Sequence, residues 1–266
     1  MIGAIIGDIA GSRFEWQNHK GKDFDLFTRG CAPTDDSIMT LALADAILKC
    51  KGDYSMLEEE ATYYMQVYGR EYPNTGYGGM FRRWIFSHDP RPYNSYGNGA
   101  AMRVSPCGFA ANSLEEAVML AGTVTRVTHN HPDAMKAAEA VASAIYLGRT
   151  GKSLDEIKAY ITERYYCVDF TLDETRPTYR FDVTCQGSVP QAFAAFYEST
   201  DFEDAIRNAI SIGGDSDTIA AITGGMAEAY YGVPDALRHQ AMMFLDYKQK
   251  TILECFEDKY GQMVGV

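Results

Sequence analysis

Residues 213–218 (Gly-Gly-Asp-Ser-Asp-Thr) constrain this chain more than any other stretch. The glycines give the backbone freedom to turn, and an Ala-rich apolar run follows at once, which predicts a helix from about Thr218. Asp215 and Asp217 are two residues apart, so both carboxylates can point the same way from an extended turn, while the Thr218 hydroxyl can cap the helix. The stretch predicts oxygen ligands at a helix N-terminus. Alone, it is equally typical of an ordinary helix cap.

Residues 34–37 (Thr-Asp-Asp-Ser) form a second acid-and-hydroxyl cluster, again directly before an apolar helical pattern. Helix dipoles tolerate negative charge at the N-terminus, so the two clusters could meet. The carboxylates of Asp35, Asp36, Asp215 and Asp217 would then repel one another unless cations joined them. Two divalent ions, roughly 3.5–4 Å apart, would cancel the charge, orient substrate hydroxyls and lower the pKa of a bound water. Oxygen ligands favour Mg²⁺, with Mn²⁺ as the alternative, over zinc.

Length and charge limit the remaining possibilities. The chain has 266 residues, with 24 basic and 36 acidic side chains and a net charge of −12. No linker or repeat interrupts it, so we expect one domain over residues 1–266 and a monomer. The negative charge disfavours general binding to nucleic acid or to an anionic membrane. Scattered cysteines without a CxxC pair, and an apolar N-terminus interrupted by Asp8, favour a soluble cytoplasmic protein.

The hydrophobic pattern predicts an all-α fold: a single compact multi-helix domain with its cleft at helix N-termini. Alternating Val, Ile and Thr are nearly absent, so very little sheet is expected. Gly3, Gly7 and Gly11 recur every fourth residue, which predicts a smooth helix face for close packing rather than a dinucleotide site. The periodicity places helices at about 35–51, 56–67, 114–127, from 132, 154–164, 189–197, 201–211, 218–231, 236–245 and 251–259, with irregular backbone at about 72–103 and 165–177.

Three further features carry candidate chemistry. The Tyr-, Gly- and Asn-rich stretch through residues 95–99 could cradle a diphosphate and stack a base, or be a plain loop. His129 and His131 precede a proline, and no cysteine or third histidine is near in sequence, so ligand hydrogen bonds or helix capping are favoured over zinc. Glu15 follows the glycine-spaced helix, where it could act on a substrate or be ordinary surface charge.

Taken together, the motifs resemble the ADP-ribosylglycohydrolases, a family that includes the dinitrogenase-reductase-activating glycohydrolase and the ADP-ribosyl-acceptor hydrolases. The resemblance runs nearly end to end, through IIGDIAGSRFEW, TDDSIMTLALADAIL, TGYGGMF, SYGNGAAMRVSP, THNHP and SIGGDSDTIAAITGGMAEAYYG in that order. It implies a compact all-α domain with a two-Mg²⁺ site between the acid clusters.

The resemblance also implies roles for individual residues. The positions that match the family's metal ligands are Thr34, Asp35, Asp36, Asp215, Asp217 and Thr218. Those that match contacts to the diphosphate and riboses of ADP-ribose are Ser95, Tyr96, Gly97, Asn98, Gly99 and His129, with Gly78 near the reacting sugar. Glu15 matches a glutamate on a flexible flap of members that act on serine-linked or polymeric ADP-ribose.

The expected activity is hydrolysis of an α-linked ADP-ribosyl bond, with release of ADP-ribose. Asp35 or Asp36 would take a proton from water, and the nearby negative charge would favour an oxocarbenium-like transition state. The GSRFE and SYGNGAAMR stretches favour serine, O-acetyl or polymer linkages, and arginine or free guanidine is the alternative acceptor. Two other hypotheses are an inactive binding or structural relative, and a phosphoesterase with a similar metal pair.

Overall fold

The structure is a computed structural model that describes residues 1–261, and helices account for nearly all of its regular secondary structure. Within those residues the α-helices are Ile2–Gly11 (α1), Asp35–Cys50 (α2), Leu57–Glu71 (α3), Gly79–Ile85 (α4), Gly99–Met102 (α5), Ser105–Ala110 (α6), Leu114–Arg126 (α7), Pro132–Arg149 (α8), Leu154–Arg164 (α9), Leu172–Thr175 (α10), Cys185–Tyr197 (α11), Phe202–Ser211 (α12), Ser216–Tyr231 (α13), Asp235–Met242 (α14) and Tyr247–Tyr260 (α15). Strand pairing in this range is limited to an isolated bridge between Gly97 and Thr184. The all-α prediction is confirmed.

Several predicted boundaries are wrong. The stretch expected to be irregular over 72–103 contains α4 and α5, because Phe81, Trp84 and Ile85 bury an apolar face that the neighbouring glycines obscured in the sequence. The second such stretch, 165–177, contains the short helix α10. Helix α11 begins at Cys185 rather than near 189, since the Thr184 side chain accepts a hydrogen bond from the Gly187 amide and caps it there.

Helices α1 and α13 form the centre of the fold. Every residue of α1 is buried, and Gly3, Gly7 and Gly11 all face the backbone of α13. A methyl group on Gly11 would lie 2.5 Å from the Asp217 Cα, closer than any real contact. The glycine strip is therefore a packing surface, as the spacing predicts, and it brings α1 against the first turn of α13.

Helix α2 starts beside this pair. The Asp8 carboxylate of α1 accepts hydrogen bonds from the Thr34 amide at 2.9 Å, the Thr34 hydroxyl at 2.6 Å and the Ser37 amide at 3.0 Å. The Ser37 hydroxyl donates to the same carboxylate. Three chain segments thus meet at one point: α1, the N-terminus of α2 and the N-terminus of α13.

Among residues 1–261 there is no helix with the length and apolar character that a membrane span requires.

Candidate active site

A cavity of about 670 Å³ lies where the N-termini of α2 and α13 meet. The residues named from the sequence that line it are Glu15, Asp35, Asp36, Gly78, Ser95, Tyr96, Gly97, Asn98, Gly99, His129, Asp215, Asp217 and Thr218. Thr34 is held just behind them, since its hydroxyl contacts Asp8 at 2.6 Å and Asp36 at 3.3 Å. Segments more than a hundred residues apart in sequence therefore share one cleft.

The two acid clusters lie side by side. The Thr218 hydroxyl donates to Asp36 Oδ2 at 3.2 Å, which joins the first turn of α13 to that of α2. Carboxylate oxygens of Asp8, Asp36 and Asp217 lie within 4.8 Å of one another, and so do those of Glu15, Asp215 and Asp217. Both groups have the density of acidic oxygens that a bound cation requires.

The expected role of Thr218 as a helix cap is wrong. Helix α13 begins at Ser216, two residues earlier than the sequence indicates, and its N-cap residue, Asp215, makes no capping hydrogen bond through its side chain. Thr218 therefore lies inside the first turn, where its hydroxyl can reach Asp36. The carboxylate of Asp215 is left free to face the cleft and Asn98.

Asp8 is one of the residues at the site that the sequence interpretation missed. It is fully buried, and four hydrogen bonds from Thr34 and Ser37 satisfy its carboxylate. Its sequence signal was a single acid within an otherwise apolar helix, and a buried acid of this kind needs a specific set of partners. Here it fixes the start of α2 against α1.

Asp35 stands apart from the other acids. Its carboxylate lines the cavity and lies against Gly76, where an added Cβ would be 2.8 Å from Asp35 Oδ1. Its backbone amide donates to the Thr75 carbonyl at 2.7 Å. Asp35 therefore faces the cleft from the Gly76–Gly78 side rather than from the centre of the cluster.

Burial shifts the acids strongly toward the neutral form. For Asp36 burial is the main cause, followed by the charge of Asp8, and its pKa is raised well above the usual value. The pKa of Asp217 is likewise raised well above its usual value, by burial and then by the charge of Asp36. Such groups stay ionised only if positive charge joins them.

The two acids nearer the opening are shifted into the neutral pH range. Burial, then the charge of Asp8, raises the pKa of Asp35 to about 8. Burial, then the charges of Asp215 and Asp8, raises the pKa of Glu15 to about 7, although a hydrogen bond with Trp16 works against the shift. A carboxylate with a pKa near neutrality can exchange a proton during catalysis.

The cluster contains an unmatched acceptor. Asp36 Oδ1 is buried and has no hydrogen-bond partner. Within residues 1–261, none of Asp8, Asp36, Asp215 and Asp217 forms an ion pair with a lysine, arginine or histidine. An oxygen-only donor set with an unsatisfied buried oxygen fits a hard divalent cation. The residues present therefore fit the metal that the sequence predicts.

The other end of the cavity is formed by residues 93–99 and the turn before α8. The Tyr93 amide donates to the Thr128 carbonyl at 3.1 Å, which ties the two segments together. His129 Nε2 faces the backbone of the glycines, because a Cβ on Gly97 or Gly99 would lie 3.7 or 3.4 Å from it. The backbone amides and the imidazole of this end are neutral, the Arg103 guanidinium borders it beside His129, and together they suit an anionic ligand group.

Asn98 connects the two ends. Its side-chain amide donates to Asp215 Oδ2 at 2.6 Å and to the Ser188 hydroxyl at 3.0 Å.

The two remaining sequence candidates, Gly78 and His131, differ in their surroundings. A Cβ on Gly78 would meet nothing within 4 Å, so the protein leaves space there, while His131 caps α8 by accepting from the Asp133 amide at 3.2 Å.

An exposed aromatic pair stands at the mouth of the cavity. The rings of Trp16 and Phe181 stack with centroids 4.9 Å apart, although 78% of Trp16 and 42% of Phe181 remain exposed. Both residues line the cavity next to Glu15. The sequence interpretation did not single out this pair, because its members are distant in sequence and neither lies in a periodic pattern.

Comparisons with known proteins agree with this architecture. The family model described as ADP-ribosylglycohydrolase matches residues 1–259. ADP-ribosylarginine hydrolase Tri1 of Pseudomonas putida (strain GB-1) is 26% identical, over 88% of this chain and 70% of the relative. ADP-ribosylhydrolase ARH3 of Homo sapiens is 25% identical, over 95% and 90%. ADP-ribosyl-(dinitrogen reductase) glycohydrolase of Rhodospirillum rubrum is 30% identical, over 76% and 70%. A solved structure described as an ADP-ribosylglycohydrolase-related protein complex has the same fold, with a TM-score of 0.71 and 23% identity over 97% of this chain and 94% of that chain.

Proposed function

This chain belongs to the ADP-ribosylglycohydrolase family and is an ADP-ribosyl glycohydrolase. We propose that its activity depends on two Mg²⁺ ions, with Mn²⁺ as a substitute. We also propose that it prefers ADP-ribose attached to serine, an O-acetyl group or a polymer. The observation that supports the metal proposal is the buried acid cluster, in which one Asp36 oxygen has no hydrogen-bond partner. The cluster lies beside the neutral, glycine-rich backbone of residues 95–99, which we call the cradle. One end suits cations and the other suits a diphosphate.

The proposed metal ligands are Asp36, Asp215 and Asp217, with Asp35 and the hydroxyls of Thr34 and Thr218. When bound, such cations would offset the carboxylate charge and polarise the ribose hydroxyls and water. Asp8 acts through its hydrogen bonds: it holds Thr34 and Ser37 so that α2 starts at the right place for Asp36 to reach the cluster.

The neutral end would bind the ADP part of the substrate. In this proposal the diphosphate is surrounded by the Gly97 and Gly99 backbone, the Ser95 hydroxyl and His129 Nε2. Glycine is needed at positions 97 and 99 because a larger residue would press on the imidazole. The half-exposed Tyr96 ring is available for stacking on the base. Gly78 leaves room for the reacting ribose between the two ends.

Proton transfer is assigned to the carboxylates that border the cleft: Glu15, Asp35 and Asp36. Glu15 is the best placed, since it is half-buried at the mouth, and its pKa of about 7 lets it take a proton from water near neutral pH. Asp36 Oδ2 already accepts from the Thr218 hydroxyl at 3.2 Å, and the Thr34 hydroxyl, whose nearer acceptor is Asp8, lies 3.3 Å away. The remaining negative charge would favour an oxocarbenium-like transition state at the anomeric carbon.

Arginine-linked ADP-ribose is the second candidate substrate. The relative from P. putida is named as an ADP-ribosylarginine hydrolase. The mouth of the cavity also pairs the Glu15 carboxylate with the exposed Trp16 and Phe181 rings. A guanidinium group binds well to a carboxylate combined with an aromatic face.

The test is to supply each conjugate separately with Mg²⁺: an ADP-ribosyl-serine peptide, O-acetyl-ADP-ribose, poly(ADP-ribose) and an ADP-ribosyl-arginine peptide. We expect ADP-ribose release to be fastest from one of the first three and to stop when the metal is chelated. Faster release from the arginine conjugate would reverse the substrate order. Release that continues with a chelator present would contradict the metal proposal, and AMP or phosphate as product would point to a phosphoesterase.

A further inference from the structure

Arg103 is a buried arginine whose charge no acid neutralises. Its exposed fraction is 0%, and within residues 1–261 it forms no ion pair. Its guanidinium carbon lies 5.4 Å from the centre of the Phe81 ring, and its Nε has no hydrogen-bond partner. A buried cation without an ion-paired acid is costly, so a stabilising or functional reason for its position is expected.

The guanidinium faces one nitrogen of His129. Arg103 Nη2 lies 2.7 Å from the Thr128 hydroxyl and 3.2 Å from His129 Nδ1, and that hydroxyl is 2.7 Å from the same Nδ1. Arginine can only donate hydrogen bonds. A proton on Nδ1 would therefore face the guanidinium N–H groups and could be accepted only by the Thr128 hydroxyl, whereas a bare Nδ1 accepts from both groups. The geometry favours a histidine that carries its proton on Nε2.

The other histidine nitrogen faces the cleft. His129 Nε2 lies 3.4 Å from the position that a Cβ would take on Gly99, nearer than any other atom, and 3.7 Å from that on Gly97. The ring is buried and neutral, because burial, and then the charge of Arg103, lowers the pKa of His129 well below its usual 6.5. A neutral ring with Nδ1 occupied has one donor, and that donor is directed into the cradle.

We propose that Arg103 is a positioning residue that holds His129 in its Nε2–H tautomer, so that the imidazole donates a hydrogen bond to a diphosphate oxygen of the ligand. The identity of that ligand rests on the proposed function, whereas the tautomer does not. The buried positive charge lies beside the ring, borders the cavity and also attracts an anion.

The tautomer can be measured on the wild-type protein without any ligand. Two-bond ¹H–¹⁵N correlation spectra of ¹⁵N-histidine-labelled protein identify which ring nitrogen carries the proton, and the His129 signals are assigned by their loss in a His129→Gln variant. We expect an unprotonated Nδ1 and a protonated Nε2. A protonated Nδ1 in the folded wild type would overturn the proposal. This result is independent of whether any conjugate is hydrolysed.

The second measurement is the affinity for ADP-ribose in Mg²⁺, by calorimetry, in three variants. Arg103→Lys keeps a group that only donates, whereas Arg103→Gln can also accept from Nδ1–H. Arg149 is the control, since it is a buried arginine that donates to the Gly108 carbonyl at 2.9 Å, away from the cavity lining. We expect Arg103→Gln to weaken ADP-ribose binding about tenfold and to admit the Nδ1–H tautomer.

The remaining variants separate positioning from stability. Arg103→Lys should retain the Nε2–H tautomer and most of the affinity, while Arg149→Gln should lower the melting temperature without changing the affinity. A folded Arg103→Gln that binds as the wild type does would overturn the proposal, and if that variant does not fold, the wild-type spectrum decides. Wild-type protein that has the expected tautomer but binds no ADP-ribose would support the role of Arg103 and contradict the proposed function.

Discussion

The two ends of the cavity are built in opposite ways. The acidic end takes its side chains from α2, α13 and the turn after α1. The glycine strip joins α1 to α13, Asp8 joins α1 to α2, and the acidic charges repel one another. The cradle end consists of loop backbone and a neutral histidine, and it places no acid next to that histidine. This contrast predicts that the proposed cation binding and the proposed ligand binding can be changed separately by mutation, because they depend on different elements and different charges.

The largest predicted effect is at the acidic end. Asp36→Asn or Asp217→Asn should lower kcat/KM in Mg²⁺ by more than about a hundredfold, since losing even an indirect metal partner typically costs 10–100-fold. In a chelator, the same change should raise the melting temperature, because the buried acid must otherwise either repel its neighbours as an anion or take up a proton at a cost in stability. Thermal melts with and without Mg²⁺ check the second expectation.

The control for that experiment lies on the same helix. Asp45 of α2 is partly buried and accepts a hydrogen bond from the Tyr68 hydroxyl at 2.9 Å, outside the cavity lining. Asp45→Asn should leave kcat/KM and the response to Mg²⁺ unchanged. If it impaired both as strongly as Asp36→Asn does, the acidic end would have no special role.

The next effect is at the cradle end. Gly99→Ala would bring a methyl group within 3.4 Å of His129 Nε2, so KM should rise about tenfold while stabilisation by Mg²⁺ remains. Gly30→Ala is the control, since a Cβ there meets nothing nearer than the Thr28 hydroxyl at 3.8 Å. Loss of the Mg²⁺ response in Gly99→Ala would show that the two ends cannot be separated.

The pH dependence of stability sharpens the comparison further. The pKa of Asp35 is raised to about 8 in the folded protein. The contribution of its carboxyl group to folding stability is therefore greatest below the pKa that it has in the unfolded chain, and it is lost as the pH rises through about 8. Metal-free protein should therefore melt lower at pH 8 than at pH 6, by roughly 5 °C. Saturating Mg²⁺, or Asp35→Asn, should reduce this slope. A metal-free melting temperature that rises over the same interval would contradict the account.

The smallest effect is at the mouth. Trp16→Ala removes the stack with Phe181 and should raise KM for a peptide conjugate about threefold, within the usual contribution of an aromatic pair. Binding of free ADP-ribose, measured by calorimetry, should stay the same, because the cradle is untouched. An equal loss for both ligands would place Trp16 in the binding of ADP-ribose instead of the acceptor.

The sequence predicted those features that depend on local pattern. Helical periodicity and the glycine spacing predicted an all-α fold with close packing, and the two acid-and-hydroxyl runs predicted a shared cleft. The helix that packs against the glycine strip could not be predicted, since no local sequence pattern identifies α13 as that helix. The roles of Asp8 and Arg103 were missed for a related reason, because they depend on contacts with residues 25 to 29 positions away. Helix α4 was missed because tertiary burial of its aromatic face outweighs its glycines.

We propose that acids from distant parts of the chain jointly bind two divalent cations. Anomalous diffraction from crystals soaked in Mn²⁺ tests it most directly, because the ion positions are seen without assuming any activity. The account predicts two strong peaks at the junction of α2 and α13, in contact with Asp36, Asp215 and Asp217. Crystals saturated with Mn²⁺ that show no peak at this junction, or ions bound only elsewhere on the surface, would contradict it.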